Sequence, residues 1–292
     1  MKAAILTDTT KCIGCYECVV ACKKANNLAG DLPRRWDAND GLSSRNWTSI
    51  VEGPQQPPQN GQQQGLAGTS AQVRKQCRHC LEPACASACP VGALHKTSIG
   101  AVVYDSAKCM GCRYCMMACP YGIPRYEWQA SVPYVRKCIL CYDRITAPGS
   151  PADAASAGVV AGRQPACTEA CPTKATIFGD RDELLAEARS RIAAKPDFYL
   201  HEIVGEREAG GTSVLYISNV NLSFLNEGRT IGSAPLPATT KVAMGAVPFA
   251  FTGVVALCAG VTWVIERRMK LDPTKRNDGA SREPLEKEGS NE

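Results

Sequence analysis

Sixteen of the 17 cysteines in this 292-residue chain fall into four tight groups between Cys12 and Cys171, and only Cys258 stands alone. The first group is Cys12, Cys15, Cys18 and Cys22, spaced C-x2-C-x2-C-x3-C; the third, Cys109, Cys112, Cys115 and Cys119, repeats that spacing and is followed by Pro120. The second, Cys77, Cys80, Cys85 and Cys89 before Pro90, stretches its middle gap to four residues. The fourth, Cys138, Cys141, Cys167 and Cys171 before Pro172, holds 25 residues between its second and third members. Thiolates are soft, strongly donating ligands that suit iron. Two-residue gaps let three sulfurs converge on one cube while the fourth reaches across to another. The groups predict iron–sulfur chemistry, one 4Fe-4S cluster for each.

Blander uses of cysteine fit less well. Disulfides suit small secreted chains and do not repeat in this register. Zinc uses separated C-x2-C pairs, such as Cys77/Cys80 and Cys138/Cys141 would provide, but does not call for the run of four. His79 lies between two ligands, yet a Rieske centre takes two histidines on one iron and the chain has only three in all; it reads as a loop side chain near a cluster. An internal repeat supports the cluster reading, since Lys11–Lys24 (KCIGCYECVVACKK) aligns without gaps on Lys108–Tyr121 (KCMGCRYCMMACPY).

The rest of the chain must position these groups. Length allows one large domain or two ordinary ones. The aromatic fraction is 6%, and cysteine and alanine inflate the 45% apolar count, so clusters would substitute for much of an oily core. A net charge of 33 − 28 = +5, mixed in sign and without a basic stripe, gives no case for nucleic acid. Short strands are expected at Ala101–Tyr104 and Thr176–Phe178, a helix at Arg181–Ala194 with Leu184, Leu185, Ala188 and Ile192 on one side, and a strand at Val214–Ser218. Asp31–Gln76 is rich in Gln, Pro and Gly and reads in part as an extended surface loop; Trp36 and Trp47 flank it, and Asn46–Val51 has strand-like content. Thr146–Gln164, rich in small residues, reads as a second surface loop.

Val242–Ile265 carries no formal charge over 24 residues, about 36 Å of helix against a hydrocarbon core of about 30 Å. Pro248 and the glycines at 245, 253 and 260 are tolerated in a membrane helix, where Ala256 and Gly260 form a small-xxx-small pair. Arg229 and Lys241 precede the span, whereas Arg267, Arg268, Lys270, Lys275, Arg276 and Arg282 follow it. The positive-inside rule then expects a cytoplasmic C-terminus and a periplasmic cluster region in the inner membrane. The tail is expected to be disordered beyond Asp272. Met1–Lys11 shows no apolar run of signal-peptide length, so no cleavable signal is expected.

CRHCLEPACASACPVGAL (Cys77–Leu94), KCMGCRYCMMACPYGIPRY (Lys108–Tyr126), PACTEACPTKATIFGDRDEL (Pro165–Leu184) and GGTSVLYI (Gly210–Ile217), followed by one span, resemble the iron–sulfur beta subunits of membrane-bound respiratory oxidoreductases. The hydrogenase-2-type electron-transfer subunit and the formate dehydrogenase-N beta subunit are the types most alike. The Gln/Pro-rich loop around Gln55–Gln64 departs from the pattern, and Lys23 stands where the other groups have proline.

The resemblance implies an α+β fold of two ferredoxin-like dicluster units with long loops plus one C-terminal transmembrane helix. One unit would take residues 1–30 and 130–200, the other 77–129. Residues 31–76 would be an insertion, 201–241 a connector, 242–265 the membrane helix and 266–292 a polar tail. Carried over by motif, Cys12, Cys15, Cys18 and Cys171 would hold one cluster, and Cys22, Cys138, Cys141 and Cys167 its companion. Cys77, Cys80, Cys85 and Cys119 would hold a third, and Cys89, Cys109, Cys112 and Cys115 a fourth. The resemblance also implies a catalytic partner oxidising formate or hydrogen, and a membrane partner carrying haem b or a quinone site. Export would follow a twin-arginine-tagged catalytic partner.

The expected mechanism is outer-sphere electron transfer with no catalytic residue in this chain. Lys11, Lys24, Arg78, Lys108, Arg113 and Lys137 adjoin ligands and would either raise cluster potentials or form solvated surface. Other readings are a beta subunit of a polysulfide, DMSO or tetrathionate enzyme, or a membrane-tethering scaffold with structural clusters. A stand-alone reductase would need a flavin or molybdenum site, and no G-x-G-x-x-G fingerprint supports one.

Overall fold

The computed structural model describes residues 1–28, 41–53, 71–147, 158–226 and 229–271. The expectations for Trp36, for Gln55–Gln64, for the middle of the 146–164 loop and for the tail beyond Asp272 lie outside the described residues. The chain divides into two compact units, Met1–Ala238 and Thr239–Glu292.

The first unit is built on short strands: β1 (Ala3–Asp8), β2 (Thr48–Glu52), β3 (Gln72–Gln76), β4 (Leu94–Lys96), β5 (Val102–Tyr104), β6 (Arg125–Tyr126), β7 (Val135–Arg136), β8 (Thr176–Asp180) and β9 (Val214–Ile217). Its helices are α1 (Glu17–Ala25), α2 (Ala84–Ser87), α3 (Tyr114–Ala118), α4 (Tyr142–Ile145), α5 (Ala166–Glu169) and α6 (Arg181–Ala194). Three strands form one sheet in the order β8–β1–β9, with β1 antiparallel to β8 and parallel to β9. The others form three antiparallel pairs, β2–β3, β4–β5 and β6–β7.

All six residues of β1 are buried, because a central strand covered on both faces shows no alternation. Ala4, Leu6, Leu215 and Ile217 on one face meet Leu184, Leu185 and Ala188 of α6; Ala3, Ile5, Val214 and Tyr216 on the other face the cysteine-bearing part of the core. Helix α6 starts where the Asp180 carboxylate accepts from the Asp182 amide, an N-cap that satisfies an orphan donor. Burying Leu184 and Leu185 contributes about 1.5–3 kcal/mol each. Below this face, Asp8 is fully buried and takes a hydrogen bond from the Tyr199 hydroxyl at 3.0 Å and an ion pair from Arg191 at 3.5 Å, which fixes the end of β1.

The sequence-derived strands and α6 occur where expected, and the polar segment before group two differs in detail. Its two ends, β2 and β3, pair with Thr48 opposite Gln76, and Val73 and Ile50 enter the core. β-Branched and alternating residues drive this, despite the polar composition between them.

Helix α7 begins at Pro237 and runs to Leu271, and from Thr239 on it forms the described part of the second unit. Its segment Thr240–Leu271 is long and apolar enough to cross a membrane, with mean hydropathy 2.0 and none of its most apolar window buried against protein. The helix continues past Ile265, carrying Arg267 over the Trp263 ring at 5.3 Å. Pro248 removes one backbone bond, and the Thr252 hydroxyl donates to the Pro248 carbonyl at 3.0 Å. A charge at the centre of the span should cost about 2.5–3.5 kcal/mol of insertion. Val254→Arg is therefore expected to move much of the protein from the carbonate-resistant membrane fraction into the soluble one, and a distribution equal to wild type would count against a spanning α7.

Candidate iron–sulfur centres

The short cysteine loops need backbone conformations that turn tightly enough to aim consecutive sulfurs inward. In all four groups the residue before the second cysteine is left-handed: Gly14 (φ 62°), His79 (φ 48°), Gly111 (φ 75°) and Leu140 (φ 59°). Groups one and three also put the residue after that cysteine in the same region, Tyr16 and Arg113, both at φ 63°. Left-handed non-glycine residues are uncommon and cost energy, so surrounding contacts must hold them. His79 is held by accepting the Val102 amide on Nδ1 at 2.9 Å, which leaves the proton on Nε2, and Leu140 by burial in the core. Burial first, then Lys137 and Lys96, keeps His79 well below its ordinary pKa, so it is a neutral positioning side chain.

Strand register then brings distant groups together, and the same device recurs. Thr7 of β1 pairs with Thr176 of β8, so Cys12, leaving β1, and Cys171, preceding β8, lie at one end of that ladder. Leu94 of β4 pairs with Tyr104 of β5, which places Cys89 and Cys109 at a shared end. Thr48 opposite Gln76 sets the end of β2–β3 beside Cys77, and the Thr48 hydroxyl donates to the Cys22 sulfur at 3.6 Å. Arg125 opposite Arg136 does the same for Cys119 and Cys138. Cys22, Cys77, Cys119 and Cys138 share one core cluster with Trp47 and Tyr121. Helix α1 packs on α5, and α2 on α3, so helical cysteines of groups one and four, and of groups two and three, lie on neighbouring helices.

Two cavities result. One is lined by Cys12, Cys15, Cys18 and Cys171 with Ile50, Thr176 and Arg74 around them; the other by Cys89, Cys109, Cys112 and Cys115 with Leu94, Tyr104 and Val135. Around the remaining eight, Cys22 is close enough to Cys167 and Cys141 for their charges to interact, and Cys80 likewise to Cys77, Cys119 and Cys85. Among the described residues no three His, Cys, Asp or Glu side chains close on one point as a single ion requires. The sulfurs stand around spaces instead, a donor arrangement suited to a multi-atom iron–sulfur cube.

Backbone amides reach several of these sulfurs, Leu140 N to Cys138 Sγ at 3.4 Å and Ile123 N to Cys119 Sγ at 3.5 Å. Such N–H···S bonds favour the thiolate and tune a bound cluster. Burial works the other way on the bare thiols, pushing Cys18 and Cys22 up to about 12 and Cys115 to about 11. Thiolate ligation here therefore depends on the iron itself.

Buried polar atoms test the fit independently. Arg74 on β3 is 2% exposed; its Nη2 donates to Thr176 Oγ1 at 2.9 Å, while Nε and Nη1 have no partner among the described residues. Burial lowers its pKa, but the Cys167 and Cys18 thiols, then Tyr216 and Cys138, outweigh that and hold it above the usual value. A buried guanidinium without a carboxylate needs an anionic neighbour, and a thiolate-ligated cube is one. The Tyr121 hydroxyl, close enough to Cys80 and Cys119 to feel their charge, is another buried polar atom without a partner among the described residues.

The six cations adjoining ligands divide into two classes. Lys11 and Lys108 are about half exposed and pair with Asp8 and Asp105, Lys24 is exposed, and Arg113 lies over Trp128 at 5.1 Å. Arg78 and Lys137 are buried, Arg78 stacked on Tyr216 at 4.2 Å and Lys137 donating to the Val102 and Cys138 carbonyls. Arg74 and Lys96 were not singled out by adjacency. The Lys96 amino group reaches the Cys80 carbonyl at 2.5 Å only because β4 folds beside group two.

Residues 70–181 match the family described as a 4Fe-4S dicluster domain. The hydrogenase-2 operon protein HybA of Escherichia coli O157:H7 is 34% identical over 92% of this chain and 85% of its own length. The iron–sulfur subunit of the nitrate-inducible formate dehydrogenase of E. coli K12 is 36% identical over 74% of this chain and 68% of its own. The B component of the anaerobic dimethyl sulfoxide reductase of that strain is 34% identical over 65% of this chain and 78% of its own.

The loop geometry makes its own prediction. A Cβ at Gly111 would stand 3.0 Å from the Tyr126 hydroxyl, and φ there is 75°. Gly111→Val should cost about 1–3 kcal/mol through the backbone alone and appear as a lower melting temperature together with a lower iron content; a variant with wild-type values for both would contradict a required left-handed turn.

Proposed function

The chain belongs to the iron–sulfur electron-transfer subunits of oxidoreductase complexes, and from that premise we propose that it carries electrons between a catalytic subunit and a membrane partner. The catalytic subunit is of the formate dehydrogenase or NiFe hydrogenase type, and the membrane partner is a cytochrome b or a quinone-reactive subunit. The observation that carries the reading is the cavity shared by Cys12, Cys15, Cys18 and Cys171, residues more than 150 positions apart in sequence. The relatives HybA and the formate dehydrogenase subunit support the catalytic partner, and α7 supports the membrane side.

The same geometry supports four ligand sets. Cys12, Cys15, Cys18 and Cys171 would hold one 4Fe-4S cluster and Cys22, Cys138, Cys141 and Cys167 a second. Cys77, Cys80, Cys85 and Cys119 would hold a third, and Cys89, Cys109, Cys112 and Cys115 a fourth. Two ferredoxin-like dicluster units result, with Cys22, Cys138, Cys77 and Cys119 where they adjoin. Each cluster supplies a one-electron carrier. The chain's part is to hold the sulfurs, exclude water by burying Cys18, Cys22, Cys77, Cys85, Cys115, Cys119, Cys138, Cys141 and Cys167, and surround them with amides and fixed cations. It makes and breaks no substrate bond.

Alanine at Cys171 should remove one ligand set: iron, about sixteen atoms per chain with four cubes, is expected to fall toward about twelve, and an unchanged iron content would refute the assigned set. The charge distribution around α7 supports a cytoplasmic C-terminus and a periplasmic cluster unit in the inner membrane. Protease added to intact spheroplasts is then expected to cleave the cluster unit; full protection, with cleavage only after lysis, would reverse the orientation.

A further inference from the structure

We infer that Arg74 is the electrostatic bridge between the first two ligand sets, a fixed buried cation that stabilises the reduced state of both clusters and relieves their mutual repulsion. The inference rests on the cluster reading above and concerns a residue that neither the cysteine motifs nor their neighbours point to.

Its position carries the argument. Arg74 lines the cavity of Cys12, Cys15, Cys18 and Cys171, yet the thiols whose charges it feels most are Cys167 and Cys18, with Cys138 also in reach. Cys18 falls in the first ligand set and Cys167 and Cys138 in the second, so the charge of a guanidinium seated in the first cavity reaches sulfurs of both. It is anchored on two sides: Nη2 donates to Thr176 of β8, and its own carbonyl accepts from the Tyr216 hydroxyl of β9 at 2.8 Å. Nε and Nη1 remain available, and no ion pair among the described residues satisfies them.

Arginine stays protonated under all working conditions, so this charge does not vary with pH. Buried, it is little screened by salt. Two anionic groups close together oppose each other's reduction, because each added electron increases the negative charge the other feels. A cation within reach of both offsets both effects, and a delocalised planar guanidinium can address two sulfur-rich faces at once, where an ammonium is a point charge. Thr176 acts as a positioning residue that sets the plane of the fork.

The test compares Arg74→Gln and Arg74→Lys in the full chain, following iron content and an EPR-monitored redox titration at low and high salt. Wild type must first show reducible 4Fe-4S clusters; if it does not, the cluster reading itself fails before any variant is made. In the Gln variant two of the four midpoints are expected to move to lower potential while two stay at wild-type values, and the Lys variant to lie between wild type and Gln. Loss of iron in Gln with retention in Lys would equally show that charge is what the site needs. Four unchanged midpoints in a fully loaded Gln variant would overturn the inference. So would a shift confined to a single cluster, or loss of iron in both variants, which would mark a requirement for shape.

Discussion

The constraint on which the rest of the structure depends is that sulfurs from remote stretches of chain must meet in the protein interior. A C-x2-C loop brings two sulfurs together cheaply, but a fourth sulfur arriving from a distant segment needs a rigid connection. Strand pairs provide it. Each ladder is short, two to five residue pairs, yet each ends beside cysteines from two different groups. A one-residue slip in any of them would turn a neighbouring cysteine to the other face. This explains why β1 is buried along its whole length: sealed between α6 on one side and the cysteine-bearing core on the other, it has no freedom to slide.

Packing around the sulfurs also departs from an ordinary core. Cysteines are members of three of the four hydrophobic clusters among the described residues, and the fourth, under α6, is a conventional aliphatic layer. The aliphatic layer stabilises the sheet by area burial, whereas the cysteine-rich clusters place thiols, amides and cations in a largely buried region. In that region every polar atom is expected to find a partner. The unpartnered atoms of Arg74 and Tyr121 sit beside thiols, where a bound cluster would supply the acceptor. The apolar layer and the cysteine layer meet across β1 and β9, so the stability of one sets the precision of the other.

Much of this was legible in the sequence, and the parts that were not share a physical reason. Gly14 and Gly111 suit the left-handed turn before the second cysteine, but His79 and Leu140 occupy the same conformation without a glycine to mark it. Helix α6 declared itself through Leu184, Leu185 and Ala188. β1 did not, because a strand buried on both faces loses its period of two and AAILTD looks like any short apolar stretch. β3 was hidden by composition, as QVRKQ adjoins a Gln-rich segment, and only its pairing with β2 turns Arg74 inward. Among the described residues no carboxylate pairs with that charge, so no pattern of acidic residues points to it.

Adjacency to a cysteine is only a partial guide to which cations lie in the interior: Arg78 and Lys137 adjoin ligands and are buried, whereas Lys11, Lys24 and Lys108 are not. Lys11 and Lys108 stand beside ligands but lie in water, already paired with Asp8 and Asp105, where solvent and salt weaken their reach. Arg74, three residues before its nearest cysteine in sequence, and Lys137, one residue before Cys138, are each 2% exposed. In such surroundings a charge acts through a lower effective dielectric and over a longer distance. Fixed interior cations therefore set the field at the sulfurs, and surface lysines add a component that varies with ionic strength. A relay built this way keeps its internal energetics nearly constant while its exterior stays free to adapt to whatever docks there.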